Sequence, residues 1–249
     1  MRRLWMAGLL VPVLALAAPA AASATSSAHA ARAHQTARTH QTAATGQVLR
    51  KGMHELSTRE LQRRLAALKY YPGPINGQFG ADTQEAVWAF QEVQGLTPGD
   101  PVGSAMVQAL NNPRPPAVLD AAAGPNRIEV NLSAEVLVLY RNNQIELISH
   151  VSTGGGYTYC VPGGGGCGTA ITPTGIFRTT AYIPGWVKVP LGEMYNSVFF
   201  IGTAFAIHGE PYVPLQPVSH GCVRIPMDIA AFFPSLVKVP GEPVIIRRP

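Results

Sequence analysis

Three cysteines stand in the 249-residue chain, and the last has the company that nucleophilic chemistry needs. Cys222 lies in the run Ser219-His220-Gly221-Cys222-Val223-Arg224-Ile225, a short way after Ile207-His208-Gly209. A thiol is largely protonated at neutral pH and attacks well only when a neighbouring base or positive charge activates it. His208, His220 and Arg224 can supply both. Gly209 and Gly221 let the backbone pass close to a substrate with no Cβ in the way. Successive N–H groups around Gly221 and Cys222 can cradle a developing oxyanion. Of the two histidines, His208 is the better base, because it ends the apolar run Phe205-Ala206-Ile207 and a strand there would hold its ring rigidly. The N–H of His220, rather than its ring, is well placed for the oxyanion. A thiolate–imidazolium pair would lower the Cys222 pKa below its free value of about 8.5.

The other two cysteines bracket Val161-Pro162-Gly163-Gly164-Gly165-Gly166, a segment flexible enough to bring the Cys160 and Cys167 sulfurs into bonding distance. That pairing suits an exported protein, since oxidising compartments pair thiols, and it leaves Cys222 as the odd thiol that needs a reason. Competing readings are weaker. Cys222 as a buried structural thiol fits poorly with its place in a Ser-His-Gly-Cys motif. A zinc site from His208, His220 and Cys222 lacks the compact ligand pairs of structural zinc, so no metal and no cofactor is expected. Gly163-x-Gly165-x-x-Gly168 formally matches a dinucleotide fingerprint, but it opens no helix and no βαβ unit surrounds it. Tyr157, Tyr159, Tyr182 and Trp186 line a groove or fill a core; their types alone do not decide.

The Ser-His-Gly-Cys-x-Arg run, with Ile207-His208-Gly209 before it, resembles the signature of the L,D-transpeptidases, also called YkuD-like. The likeness extends over roughly residues 126–247: Ile128 to Tyr140 is similar to the opening strands, Thr172-Pro173-Thr174-Gly175-x-Phe177 to the Thr-Pro-x-Gly-x-Phe motif, and Gly241 to Ile246 to the closing strand. The stretch between Gly209 and Ser219 is shorter than in many members. The resemblance implies that Cys222 is the nucleophile and that His208 is the base with the Gly209 carbonyl orienting it. His220, Gly221 and Cys222 would shape the oxyanion site with Arg224 in support, and Ser219 belongs to the same catalytic set. It also implies Arg224 and Tyr195 as substrate-binding residues. The implied reaction cuts D-alanine from a tetrapeptide stem of peptidoglycan through a thioester, which the amine of a second stem resolves into a 3→3 cross-link. Water in place of the amine would make an L,D-carboxypeptidase. The rival of another kind is a non-catalytic wall-binding protein.

The elements that must position these residues can be read coarsely. The chain is 47% hydrophobic and 13% charged, enough for a packed core. Its net charge of +5 comes from the five arginines of residues 1–50, which contain no acid; the remainder is balanced, so a nucleic-acid partner is excluded. Arg2 and Arg3, the apolar Leu4 to Ala18 and Ala22-Ser23-Ala24 read as an export signal over 1–24, leaving no stable membrane insertion after cleavage and a secreted, cell-wall location. Residues 25–53, with His34-Gln35-Thr36-Ala37 repeated from His40, form a low-complexity linker.

Residues 54–112 carry three helical patterns. Ser57-Thr58-Arg59-Glu60 is a capping box flanked by Leu56 and Leu61, with Leu65 and Leu68 on the same face. Asp82 with Glu85 caps a second helix with Val87, Phe90 and Val93 inside and Gly95 at its end. Met106, Val107 and Leu110 mark a third. Leu61-Gln62-x-x-Leu65, Ile75-Asn76-Gly77-x-Phe79-Gly80 and Thr83-x-x-Ala86-Val87-x-x-Phe90-Gln91 resemble the three-helix peptidoglycan-binding domain. That resemblance implies docking on wall glycan or peptide, and a chain begun near Pro125 is expected to keep its activity on soluble substrates.

Pro- and Ala-rich residues 113–125 read as a linker. Residues 126–249 are strand-like: Ile128 to Leu132, Val136 to Tyr140, a turn at Asn142-Asn143, Ile145 to Val151, Gly175 to Tyr182, Ser197 to His208 and Val244 to Ile246. One late helix, Pro226 to Val237, interrupts them. The fold class is α+β: a small three-helix domain, then a mostly β, mixed-sheet, sandwich-like catalytic domain with one late helix.

Overall fold

The computed structural model describes residues 56–99 and 101–249; the expected export signal and low-complexity linker lie outside the described residues. Helices α1 (Leu56–Ala67), α2 (Ala81–Gln94) and α3 (Ser104–Asn111) come first. Leu61, Leu65, Val87, Phe90, Met106 and Leu110 are buried, as their helical spacing requires. Helix α2 stops at Gly95, which takes φ 69° and donates its N–H to Glu92 O, while Leu96 reaches back to Gln91 O.

The expected N-terminal caps differ. Helix α1 already contains Ser57, so Ser57 is not its cap. Helix α2 is entered from Gly80 with no side-chain cap, and Asp82 sits inside its first turn, near Asp228 of the late helix. Buried Gln62 organises the connection between the first two helices by donating to Gln78 O and Thr83 Oγ1 and accepting from the Gly77 N–H.

The strands follow as β1 (Arg127–Asn131), β2 (Val136–Arg141), β3 (Gln144–His150), β4 (Thr158–Cys160), β5 (Cys167–Thr169), β6 (Gly175–Arg178), β7 (Ala181–Val189), β8 (Gly192–Ile201), β9 (Phe205–Glu210) and β10 (Val223–Pro226). Helix α4 (Met227–Leu236) and β11 (Pro243–Arg247) close the chain. One sheet has the order β3-β2-β1-β11-β6 and the other β10-β9-β8-β7, with β4 and β5 forming a separate hairpin. Strands β1 and β11 pair parallel, as do β9 and β10, and the remaining pairs are antiparallel, so both sheets are mixed. The two sheets face each other across one core, where Ile128, Leu139 and Ile246 meet Val198, Ile207 and Ile225, with α4 contributing Ile229 and Phe233.

Asn142 and Asn143 take φ 50° and 60°, the left-handed pair that a two-residue hairpin demands. Two expected strands are each broken in two. Thr179 turns away between β6 and β7 because its N–H and hydroxyl are drawn to Glu242 O and Lys238 O. A turn at Gly202 to Ala204 separates β8 from β9. The alternation in β1 does not turn Glu129 outward: it is buried, 2.6 Å from Arg127 Nε, and accepts the Leu119 N–H at 2.7 Å.

The segment 113–125 is therefore no free spacer. Gln94 also ties it down, donating to Arg114 O and accepting from Arg114 N. Nor is the helical unit separate. Val136, Val138, Tyr140 and Ile148, on the outer face of the first sheet, share a core with Leu65, Phe90 and Met106.

Candidate active site

Parallel pairing of β9 with β10 puts His208 opposite Arg224 and Ile207 opposite Val223. Side chains alternate along a strand, so Ile207, Val223 and Ile225 enter the sandwich core while His208, Glu210 and Arg224 project from the other face. Cys222, immediately before β10, falls on that same outer face, against Met194 and Ala206. The sheet thus brings Cys222, His208 and Arg224 to one side. A cavity of about 720 Å³ opens there, lined by Cys222, His208, Ser219, His220 and Arg224, with Glu193, Glu210 and Trp186 farther out.

His208 is only 3% exposed, and its Nδ1 lies 3.1 Å from the Gly209 carbonyl. The carbonyl can only accept, so Nδ1 carries the hydrogen and Nε2 keeps its lone pair. Burial, against the Gly209 bond and with a smaller push from the Arg224 charge, holds the His208 pKa down at about 4. Burial also pushes the Cys222 thiol up, more than its bond with the Ala206 backbone and the Arg224 charge pull it back. Both shifts favour a neutral thiol and a neutral imidazole over the thiolate–imidazolium pair that the sequence suggests. Desolvation is the largest cause of both shifts.

The loop carrying Cys222 is fixed by two hydroxyls. Ser219 Oγ donates to Cys222 O at 2.6 Å and accepts the Gly221 N–H at 2.9 Å. Thr172 Oγ1 donates to Gly221 O at 2.8 Å and accepts the Gly154 N–H. Gly221 sits at φ +134°, and a Cβ there would come within 2.5 Å of the Phe205 ring. Glycine at 209 has a different cause, since a Cβ would approach Ala230 Cβ of α4 to 2.6 Å. The Gly221 N–H is thus committed to Ser219 and is removed from the expected oxyanion donors, leaving those of His220 and Cys222.

His220 lies with its ring against the edges of Tyr157 and Tyr159, centroids 5.6 and 4.8 Å away, and burial lowers its pKa. Tyr159 belongs to the β4–β5 hairpin, whose register pairs Cys160 with Cys167, joined as a disulfide with Cα atoms 3.9 Å apart. The disulfide-closed hairpin therefore forms one wall beside His220. Arg224 Nε stands 3.7 Å from Glu210 Oε1 with no hydrogen-bond partner among the described residues.

Tyr195 is not in the site. Along β8 it alternates with Met194, so Met194 packs beside Cys222 while Tyr195 turns to the sandwich core, behind Gly209 and against Trp186. The sequence reading missed Glu210, two residues beyond the base, and the β7–β8 arm that walls the cavity. Period-two alternation is present in that arm, but Pro184 and Gly185 within it argue against a strand. The structure absorbs them with a bulge between Ile183 and Trp186, where Asn196 Oδ1 accepts the Gly185 N–H. Among the described residues, no group of three or more His, Cys, Asp or Glu side chains is arranged to hold a metal ion.

Residues 125–246 match the family of L,D-transpeptidase catalytic domains, YkuD, and residues 55–110 match the peptidoglycan binding domain family. An L,D-transpeptidase from Xylanimonas cellulosilytica is 29% identical with a TM-score of 0.76, covering 82% of this chain and 98% of that one. One from Stackebrandtia nassauensis is 17% identical with a TM-score of 0.46, over 84% of this chain and 99% of that one. One from Mycobacterium smegmatis is 20% identical with a TM-score of 0.39, over 49% and 58%. No curated protein matches the chain.

Proposed function

The chain carries an L,D-transpeptidase catalytic domain of the YkuD family at residues 125–246, preceded by a peptidoglycan-binding domain at 55–110, and from that premise we propose that Cys222 forms 3→3 cross-links through a thioester. The observation that carries the mechanism is the His208–Gly209 bond. It pins Nδ1–H and leaves Nε2 as the free base in the cavity that holds Cys222.

As Sγ attacks the carbonyl carbon between the third stem residue and D-alanine, His208 Nε2 takes the thiol proton. Attack from a neutral pair means that charge develops only in the transition state. The developing oxyanion is held by the His220 and Cys222 N–H groups. Collapse breaks the C–N bond, and His208 returns the proton to the departing D-alanine amine, leaving the thioester. The neutral amine of a second stem then attacks the thioester. Its proton passes to His208, and the thiolate leaves and recovers that proton. Arg224 lines the cavity, and its guanidinium is suited to a substrate carboxylate.

Peptidoglycan-acting domains place the work outside the cytoplasm, and among the described residues no helix is long and apolar enough to cross a membrane. The helical unit supplies wall docking. Incubation with defined tetrapeptide muropeptides, read by mass, tests the proposal. Dimers joined through the third residues with release of D-alanine support it; tripeptides alone identify an L,D-carboxypeptidase, and no Cys222-dependent product contradicts both.

A further inference from the structure

Helix α2 reaches toward the catalytic loop through a buried side chain. His150, at the end of β3, is fully enclosed, with Glu92 of α2 almost as buried. Its Nδ1 is 2.9 Å from Glu92 Oε1 and its Nε2 is 3.1 Å from Pro214 O, while the ring of Trp88 stands edge-on to it. Pro214 opens a strap that runs to the nucleophile beside the chain leaving β3. Ser152 Oγ donates to Gln216 O and accepts the Val218 N–H. Ser219 N–H then donates to Thr153 O, and the Gly155 N–H to Ser219 O. The next bonds along are those from Ser219 to Gly221 and Cys222. Glu135, in the turn after β1, clamps the same chain from behind by accepting from Thr153 N and Oγ1.

We propose that His150 is a positioning residue, through which helix α2 of the wall-binding unit holds the 214–219 strap and with it the Cys222 loop. The geometry fixes a proton count. A carboxylate oxygen, two ring nitrogens and a carbonyl oxygen stand in a row, and two hydrogen bonds along it need two hydrogens. These are present whether the shared one sits on the imidazole or on the carboxyl. When the pair loses it, a lone pair must face an acceptor, at either Glu92 or Pro214, and one bond goes.

The charged and titratable surroundings are few. Glu92, Glu85 and Asp82 face the ring or its small adjoining cavity from α2, Asp228 and Tyr71 line that cavity, and Glu135 acts on the pair from the β1–β2 turn. Burial pushes Glu92 up to about 7 against the pull of His150, and His150 lies above its ordinary value because Glu92 and Pro214 together outweigh its burial. Both shifts are upward, so the folded state holds the proton more tightly than the unfolded chain. The strap is therefore secured at lower pH and released as pH rises through the pair.

The inference rests on Cys222 being the nucleophile, and amide hydrogen exchange on the full chain reads the strap without any turnover, so the two readings fail separately. Between about pH 6 and about pH 9, exchange of the Val218, Ser219 and Gly155 amides, corrected for intrinsic rates, should lose roughly tenfold or more of its protection relative to Thr179 and Leu132. The kcat on a soluble tetrapeptide should fall over the same window with KM changed less. In Glu92→Gln the amide can donate to Nδ1 of a neutral ring whose Nε2–H still reaches Pro214, so both pH dependences should flatten. A constant protection ratio in the wild type, which needs no variant to fold, would overturn the inference. So would strap release without loss of kcat, or an unchanged dependence in Glu92→Gln.

Discussion

The Gly221 N–H is held by Ser219 Oγ at 2.9 Å, and that same hydroxyl donates to the carbonyl of Cys222 at 2.6 Å. One buried side chain thus sets the backbone on both sides of the Gly221–Cys222 peptide, and with it the direction of the N–H groups left for the oxyanion. Ser219→Ala leaves a buried N–H without its partner, which costs about 1–3 kcal/mol. A lowered melting temperature and a fall in kcat of roughly tenfold, with KM less affected, are expected. A variant that melts lower yet keeps full kcat would show that the loop needs Ser219 only for stability.

Gly209 allows α4 to pack directly over the base. Gly209→Ala would drive its Cβ to 2.6 Å from Ala230 Cβ, forcing β9 and α4 apart at the carbonyl that holds His208 Nδ1. Overpacking of this kind costs about 1–3 kcal/mol, and turnover should fall with it. Ala230→Gly in the same chain removes the clashing methyl, so the double variant should recover much of both losses. Absence of recovery would place the fault elsewhere, with Tyr195 and Met227 the next neighbours.

Much of this arrangement was legible in the sequence. Helical spacing located α1 to α3, apolar runs located β1, β2, β3 and β11, and the reactive residues of 207–224 meet in one cavity because two parallel strands bring them there. What failed was local chemistry overruled by tertiary contacts. Asp82 looks like a helix cap but lies inside the first turn of α2, and Tyr195 looks available to substrate but alternates into the core. Burial, which raises the Cys222 thiol, is likewise invisible in a motif.

The shared core changes what truncation should do. Val136, Val138, Tyr140 and Ile148 are covered by the helices, and Glu92 completes the bonding of buried His150. A chain begun near Pro125 would expose that apolar face and orphan a buried ring. It should be poorly soluble, melt lower and have little activity even on soluble muropeptides, the reverse of what a string of independent domains predicts. A soluble, fully active fragment would show that the contact adds affinity for the wall and nothing else.

The neutral resting pair has its own pH signature. Burial raises the Cys222 thiol, so alkylation of the free enzyme should be slower at neutral pH than that of free cysteine, with a midpoint above the ordinary value. His208→Ala should abolish turnover while moving that midpoint little, because no imidazolium is holding a thiolate. The depressed His208 pKa also affects stability. The unfolded residue takes up a proton near pH 6.5 and the folded one only near about 4, so this histidine costs stability as pH falls between those values. A Cys222 midpoint below that of free cysteine, rising in His208→Ala, would restore the ion pair.

The central claim is the thioester on Cys222, and intact-protein mass spectrometry of the enzyme with a soluble tetrapeptide muropeptide and no acceptor tests it most directly. A covalent adduct equal to the donor less D-alanine is expected, mapped to Cys222, absent in Cys222→Ser and strongly slowed in His208→Ala. Turnover of the same donor with no adduct under rapid quench, or an adduct on any other residue, would contradict it.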